Sequence, residues 1–364
     1  MALVYNEDQT LLKESAVGFF KERSPITAFR SLRDKRDETG YDSDLWSEMA
    51  EMGFTSLLLS EEEGGTGFGY VGAGIVAEAM ATTLVSSPFT ASCVLATEIL
   101  KSTGSAILER VSSGEAIATV ALDETGHYSP ESVKTKAIAD GDGYKLSGMK
   151  TFVPEGHTAD HIIVLARTDD DRLSLYTVQK GAANLITDRT VMADSRNWAK
   201  LTFEGTPATL LSDDGLEKLI PAIDKVNIVL AAELLGLTQA AFDMTTAYLK
   251  ERKQFGKIIG TFQGLQHRSA HLFAEIEVTR SIILAALQAA DASAPNLSML
   301  ASAAKAKACK TAELATNEGI QMHGGIGMTD EYDIGFFIKR ARAVSNLYGG
   351  QNYHTDRFAT LSGY

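Results

Sequence analysis

The chain has 364 residues, of which 45% are hydrophobic and 22% charged, enough for a substantial core in two or three domains. Its formal net charge of −13 repels phosphate, which argues against a nucleic-acid-binding protein or one that docks on an anionic membrane. The two cysteines, Cys93 and Cys309, give neither a disulfide framework nor a metal-binding spacing, as expected for a reducing cytoplasm. The first twenty residues carry acidic side chains, unlike a signal peptide or a membrane span.

The region from Asn6 to about Ser112 shows the period of amphipathic helices, because its apolar residues recur at intervals of three and four. A glycine-rich loop, "LSEEEGGTGFGY" (59–70), interrupts this pattern. Three glutamates precede its glycines and no lysine follows them, so we do not expect the loop to bind phosphate.

The period changes between about Glu115 and Pro207, where short runs typical of strands appear. They are "AIATVAL", "YKLSGMKTFV", "HIIVLAR", "LSLYTVQ" and "AKLTFEG", and "DGDGY" (140–144) between two such runs predicts a hairpin. From about Asp213 long Ala- and Leu-rich segments predict helices again, long enough for a bundle. The sequence therefore predicts an α+β protein with a helical domain (1–114), a β-domain (115–210) and a C-terminal helical bundle (211–364).

The stretch "ERKQFGKIIGTFQGLQHRSA" (251–270) joins two of the C-terminal helices and places Arg252 at the end of the first. A cation there complements the helix dipole, which is a purely structural role. A guanidinium also offers a two-pronged hydrogen-bond donor to a diphosphate. Both interpretations stay open on these residues alone.

A second stretch, "QMHGGIGMTDEY" (321–332), follows a helical run with three glycines in four positions. Glycines let a backbone approach a flat or phosphorylated ligand closely, but they also end helices. Taken together, in this order and near the end of a helix–sheet–helix chain, the two stretches resemble the acyl-CoA dehydrogenase family. The glycine-rich loop and "GYKLSGMKTFVPEGHTADHIIVLAR" (143–167) are similar to further segments of that family.

This resemblance implies an N-terminal helical domain, a small β-domain and a C-terminal four-helix bundle, assembled as dimers or tetramers around FAD and an acyl-CoA thioester. In the family, the two stretches bind the diphosphate and adenosine of the FAD held mainly by a neighbouring subunit. Carried over, the cofactor-binding residues are Arg252, Gln254, Phe255, Phe262, Gln263, Gln321, His323, Gly324 and Gly325, with Phe152 and Gln351 completing the set.

The tail "SNLYGGQNYH" (345–354) departs from the family pattern. Many members read Tyr-Glu-Gly-Thr there, and the glutamate removes the α-proton of the thioester while a hydride passes to the flavin. Here Gly349 stands at the glutamate. Other members carry the base on a bundle helix, at the position of Val226 in this chain. Neither residue accepts a proton, so the resemblance predicts no catalytic residue at either place.

Other positions that serve the chain's own flavin and thioester in the family are also altered. The Thr-Glu-Pro-x-x-Gly-Ser-Asp motif matches "LDETGHYS" (122–129), which replaces its threonine by Leu122 and its serine by Tyr128. The family's Trp-x-Thr becomes "FVP" (152–154), and Asn227 replaces an arginine on the CoA side.

Two residues are alternative bases. Glu233 lies seven residues after Val226, two turns along the same helical face, although about 10 Å away. A packing or ion-pair role is the competing interpretation. His354 follows the tail motif, and the competing expectation for a histidine near a terminus is a surface or capping position.

The resemblance and these departures from it together imply a subunit of an FAD-dependent acyl-CoA dehydrogenase that lacks its own base and completes the FAD site of a homologous catalytic subunit, similar to bacterial heterotetramers that degrade steroid side chains. The alternatives are a homo-oligomeric flavoenzyme with a relocated base such as Glu233, and a purely structural or regulatory protein. The expected partners are an acyl-CoA thioester and an electron-accepting flavoprotein. We expect no metal, no nucleic acid and no membrane.

Overall fold

The computed structural model describes residues 3–364, with helices on both sides of a central run of strands in the sequence. The first helices are α1 (Glu7–Arg23), α2 (Ile26–Lys35), α3 (Ser43–Glu51), α4 (Gly69–Thr82), α5 (Thr97–Thr103) and α6 (Leu108–Ser112). The last are α7 (Gly215–Glu251), α8 (Gln263–Asp291), α9 (Leu297–His323), α10 (Ile334–Asn346) and α11 (Gln351–Leu361). This order confirms the predicted α+β class with a C-terminal helical domain.

The strands lie mainly between the two helical regions. They are β1 (Ala118–Ala121), β2 (Lys136–Asp140), β3 (Gly143–Pro154), β4 (His161–Arg167), β5 (Leu173–Gln179), β6 (Leu185–Val191) and β7 (Asn197–Ser212), and a short pair follows, β8 (Lys253–Gln254) and β9 (Lys257–Ile258). The main sheet has the order β1-β4-β2-β3-β7-β5, and β5 also pairs with β4. The strands therefore return on themselves around a core that includes Leu146, Tyr176 and Phe203.

The predicted hairpin at "DGDGY" is confirmed, because Asp140 pairs with Gly143 across an antiparallel ladder. Strand β6 was not predicted. It pairs with β7 along its whole length, but every residue after Leu185 in β6 is exposed. A strand that buries almost nothing carries no hydrophobic alternation, so its sequence gives no period to detect.

By contacts the chain divides into two compact units. The first contains the N-terminal residues up to Ser31, Tyr70–Val85 and Asn227–Tyr364, and the second contains Leu32–Gly69 and Ser86–Val226. This division differs from the three sequence domains, whose boundaries stay a prediction.

The long helices of the first unit pack closely. A Cβ on Gly236 of α7 would lie within 2.8 Å of Ala81 and would also overlap the backbone of Glu78, so only glycine lets α4 and α7 approach to this distance. Within residues 3–364, no helix combines the length and the apolar character needed to cross a membrane.

Candidate functional site

The two stretches singled out in the sequence meet at the C-terminal ends of α7 and α9. The rings of Tyr248 and His323 pack with their centroids 4.5 Å apart, and the ring of Tyr332 also packs against His323, with centroids 4.6 Å apart. A small apolar cluster, which includes Leu249 and Met322, lies beneath them. The sequence therefore brings together residues about 70 positions apart, as the resemblance implies.

Arg252 lies one residue beyond the end of α7, and its backbone N–H donates to the Tyr248 carbonyl at 2.9 Å. Its side chain is exposed and has no ion-pair or hydrogen-bond partner among residues 3–364. Lys253 and Lys257 are exposed on the adjacent hairpin, so three cations face solvent together in a chain of net charge −13. This local field suits an anionic ligand.

The hairpin of β8 and β9 turns through Phe255 and Gly256, which have φ of +53° and +78°. Two positive φ values describe the turn that Asn-Gly favours, and a phenylalanine there is strained. Phe255 is also 89% exposed, and its ring and that of Phe262 lie edge to face with centroids 6.2 Å apart. Strain combined with an exposed aromatic ring is typical of a ligand contact. Gln254 and Gln263 are exposed beside it.

The second stretch places Gln321, Gly324 and Gly325 on the surface, whereas His323 is buried. Gly324 has φ of +65°, and its N–H donates to carbonyls of α9, so it does act as a helix cap. Packing within the chain does not require a glycine at position 325, since a Cβ there would meet nothing within 4 Å. His323 bonds through Nδ1 to the Gly319 carbonyl at 2.6 Å, which supports the turn from inside.

Phe152, in the second unit, is 43% exposed with φ of +53°, and its ring packs edge-on against Trp198 with centroids 6.5 Å apart. On the same sheet a cavity of about 520 Å³ is lined by six residues of the "LDETGHYS" segment, Tyr128 not among them, and by Gly148 and Met149. The Leu122 side chain, which replaces the family's threonine, is buried. It offers a ligand no hydroxyl.

A buried ion pair lies beside this cavity. Lys150 is fully buried, and its Nζ lies 3.0 Å from both the Leu122 carbonyl and a Glu124 carboxylate oxygen. Burial lowers the pKa of Lys150 to about 8 and raises the pKa of Asp123 to about 6. Sequence reasoning missed Lys150, although a lysine at an inward position of "YKLSGMKTFV" was a signal.

At the tail, the structure makes Gly349 an obligatory glycine. Its φ is +100°, and a Cβ there would lie 3.0 Å from His354 Nε2 and still closer to the ring of Tyr353. Any side chain at this position is thus opposed by both the backbone and the neighbours. The other family position of the base, Val226, is fully buried on α7.

The expectation of a surface or capping role for His354 is wrong, because its side chain is 1% exposed. Nε2 lies 3.1 Å from the Tyr348 carbonyl and Nδ1 lies 3.4 Å from Ser302 Oγ. Burial, followed by the Lys305 ammonium, lowers the pKa of His354 to about 3. With both nitrogens engaged inside the protein, His354 is not placed to take a proton from a ligand.

Glu233 is 7% exposed on α7, and its carboxylate lies 4.0 Å from the guanidinium of Arg340. Arg340 in turn donates to the Val85 carbonyl at 3.0 Å. This contact supports the ion-pair interpretation of Glu233 over that of a relocated base, since the carboxylate faces a buried cation.

Gln351, at the start of α11, lines a different cavity of about 210 Å³ between α9 and α10, together with Thr316, Arg342 and Asn346. Among residues 3–364, no three His, Cys, Asp or Glu side chains are grouped so as to hold a metal ion.

Two family models match the chain: the N-terminal domain of acyl-CoA dehydrogenases over residues 6–110, and their C-terminal domain over residues 213–360. A probable acyl-CoA dehydrogenase, fadE25 of Mycobacterium leprae, is 30% identical over 82% of both chains. The chain belongs to the acyl-CoA dehydrogenase family of oxidoreductases. Its members are flavoproteins.

Two further relatives align with nearly the whole of this chain. The acyl-CoA dehydrogenase IpdE2 of Mycolicibacterium smegmatis is 28% identical and covers 94% of this chain and 95% of its own. A solved structure of a variant of the steroid acyl-CoA dehydrogenase Tcur3481-Tcur3483 is 30% identical, with a TM-score of 0.89 and 98% coverage of both chains.

Proposed function

We propose that this chain is the base-lacking subunit of a heteromeric acyl-CoA dehydrogenase that acts on bulky, steroid-type acyl-CoA thioesters. The observation that carries the proposal is Gly349, where the backbone and the packing of Tyr353 and His354 exclude the side chain that would act as base. The similarity to a steroid acyl-CoA dehydrogenase whose name joins two chains supports both the heteromer and the substrate class.

The residues around Arg252 fit a share of an FAD site. An exposed guanidinium without a partner among residues 3–364 can donate two parallel hydrogen bonds to a diphosphate, and Lys253 and Lys257 add positive charge beside it. Phe255 offers an aromatic face, and the bare backbone at Gly325 allows close approach. These groups all point outward, so they suit a cofactor that a neighbouring subunit also holds.

In this account the FAD supplies the hydride-accepting chemistry and the catalytic partner supplies the carboxylate that removes the α-proton. The chain itself would bind and orient the FAD. Arg252 and Gln321 hold the diphosphate and adenosine end, while Leu122 and Gly349 leave this chain's own site without a hydroxyl or a base. An electron-accepting flavoprotein would reoxidise the complex. About one FAD per pair of unlike chains follows, since one of the two sites is complete.

The test is to co-express the chain with a homologue that carries the glutamate, purify the complex and measure flavin absorbance. Arg252→Ala should weaken flavin retention by about 1.5–3 kcal/mol, the range for a charged hydrogen bond. The control is Arg110→Ala. Arg110 is exposed and pairs with Glu115, both in the second unit, so this substitution should leave flavin retention unchanged. Equal flavin content in both variants would contradict the proposal.

Gly325→Val gives a second, cleaner probe. Within the chain the new side chain meets open space, so the melting temperature should stay unchanged while flavin is lost. Gly335→Val on α10, where a Cβ likewise meets nothing within 4 Å, should leave both unchanged. Normal flavin content in Gly325→Val would show that no cofactor approaches this backbone.

A further inference from the structure

Lys305, on α9, is a fully buried lysine that no motif predicts. Its Nζ donates to the Leu347 carbonyl at 2.8 Å and to Asn227 Oδ1 at 2.9 Å. Taking an ammonium out of water is costly, and a pair of neutral acceptors offsets only part of that cost. Burial accordingly lowers the pKa of Lys305 to about 8. A methionine would fill the same space without this penalty, so the ammonium is not explained by packing alone.

Two further side chains, Asn227 and His354, bond to the next backbone carbonyl, that of Tyr348. Asn227 Nδ2 donates to the Tyr348 carbonyl at 3.2 Å, and His354 Nε2 donates to the same oxygen at 3.1 Å. Side chains from α7, α9 and α11 thus hold two successive carbonyls, those of Leu347 and Tyr348. We refer to Lys305, Asn227 and His354 as the tail clamp.

The turn held by the tail clamp has an unusual backbone. Tyr348 has φ of +52° and Gly349 has φ of +100°. A bulky residue in this region persists only where surrounding contacts over-determine it. The turn leads directly into Gly350 and Gln351, which line the 210 Å³ cavity between α9 and α10. Any shift of the two carbonyls would move Gln351 with them.

We propose that Lys305 is a positioning residue: through the Leu347 carbonyl and Asn227 it fixes the tail turn and so sets Gln351 for its share of the FAD site. The proposal rests on the proposed function, because Gln351 contacts FAD only if the chain holds a share of the cofactor, as the family resemblance implies. Lys305 itself is fully buried, and its Nζ donates to groups of the chain itself. Its effect on FAD therefore passes through the geometry of the turn.

The experiment compares FAD dissociation constants in the co-expressed complex for wild type, Lys305→Met, Lys305→Gln and Lys307→Met. Lys305→Met should raise the constant about tenfold, as for the loss of one hydrogen bond between Gln351 and the cofactor. Lys305→Gln, which keeps an N–H donor, should recover part of this loss. Lys307, two residues along α9, pairs instead with Glu275 at 2.5 Å, so Lys307→Met is the matched control and should leave the constant unchanged.

Hydrogen exchange on the chain alone supplies a readout that needs no cofactor. Amides 348–351 should exchange faster in Lys305→Met than in wild type, and at the wild-type rate in Lys307→Met. A dissociation constant within about twofold of wild type for Lys305→Met would overturn the proposal even if the melting temperature falls. If Lys305→Met does not fold, Asn227→Leu, which removes one anchor and keeps the lysine, decides by the same criterion. A wild-type complex that holds no FAD would instead refute the proposed function.

Discussion

The φ of +100° at Gly349 lies in a region of backbone space that residues with a Cβ rarely enter. Gly349→Glu should therefore fail to restore a base and should lower the free energy of unfolding by about 1–3 kcal/mol. The new side chain must displace Tyr353 and strain the turn before it reaches any ligand. Thermal unfolding together with an acyl-CoA turnover assay measures both effects.

Gly350→Ala is the control for this substitution. Its backbone has φ of −85°, and a Cβ there would lie 3.8 Å from the nearest atom, so the stability should hardly change. Turnover by Gly349→Glu with unchanged stability would show that the tail accepts a base after all.

His354 makes the stability of the first unit depend on pH. Its pKa is lowered from 6.5 to about 3 in the folded chain, so the unfolded state binds a proton first as the pH falls. The contribution of His354 to the free energy of unfolding should be complete above pH 6.5. Below that pH the free energy of unfolding should decrease by at most about 1.4 kcal/mol per pH unit. Urea unfolding followed by circular dichroism at pH 7, 5.5 and 4 measures this.

His354→Gln, which cannot titrate, should flatten that dependence, whereas His127→Gln at an exposed position should not. Parallel curves for wild type and His354→Gln would show that the imidazole is not buried as described. The burial of His354 and Lys305 could not be read from the sequence, because it depends on helices that are distant in the chain. The absence of a base at Gly349 could be predicted from the sequence, since the family's tail motif aligns with this position.

At the scale of elements, the hairpin of β8 and β9 stores strain at Phe255. Phe255→Asn should raise the stability by about 1 kcal/mol, because asparagine suits the turn, and should reduce flavin retention, because the aromatic face is lost. The melting temperature and the flavin absorbance of the purified complex give the two readouts.

Ser195→Asn is the matched control in another turn. Ser195 has φ of +67° between β6 and β7, so the same relief of strain is expected without any change in flavin. If Phe255→Asn also left flavin unchanged, the exposed ring would not be a cofactor contact.

The long elements were predictable, and the exceptions have physical causes. The strands at 161–167 and 173–179 bury one or both faces, and their apolar composition made them predictable. Strand β6 is exposed and has no such composition. The pairing of the ends of α7 and α9 followed only from the family resemblance. Periodicity gives the length of each helix but not which helix ends lie together.

At the scale of the whole molecule, the outward-facing groups around Arg252 contrast with the inward-facing, closed tail. The first set has no internal partner for its guanidinium within the described residues, whereas the side chains of the tail clamp bond to groups of the chain itself. This contrast is what the proposed function predicts for a chain that shares a site with another subunit. The acidic net charge of −13 makes the cationic patch around Arg252 more distinctive.

The most direct test of the central claim is anaerobic bleaching of the flavin band by a steroid-type acyl-CoA, measured for this chain alone and for its complex with a glutamate-bearing homologue. We predict bleaching by the complex, with about one FAD per pair of chains, and none by this chain alone, because removal of a general base costs about 10²–10⁴ in rate. Bleaching by the chain alone that is abolished by Glu233→Gln would contradict the account and assign the base to Glu233.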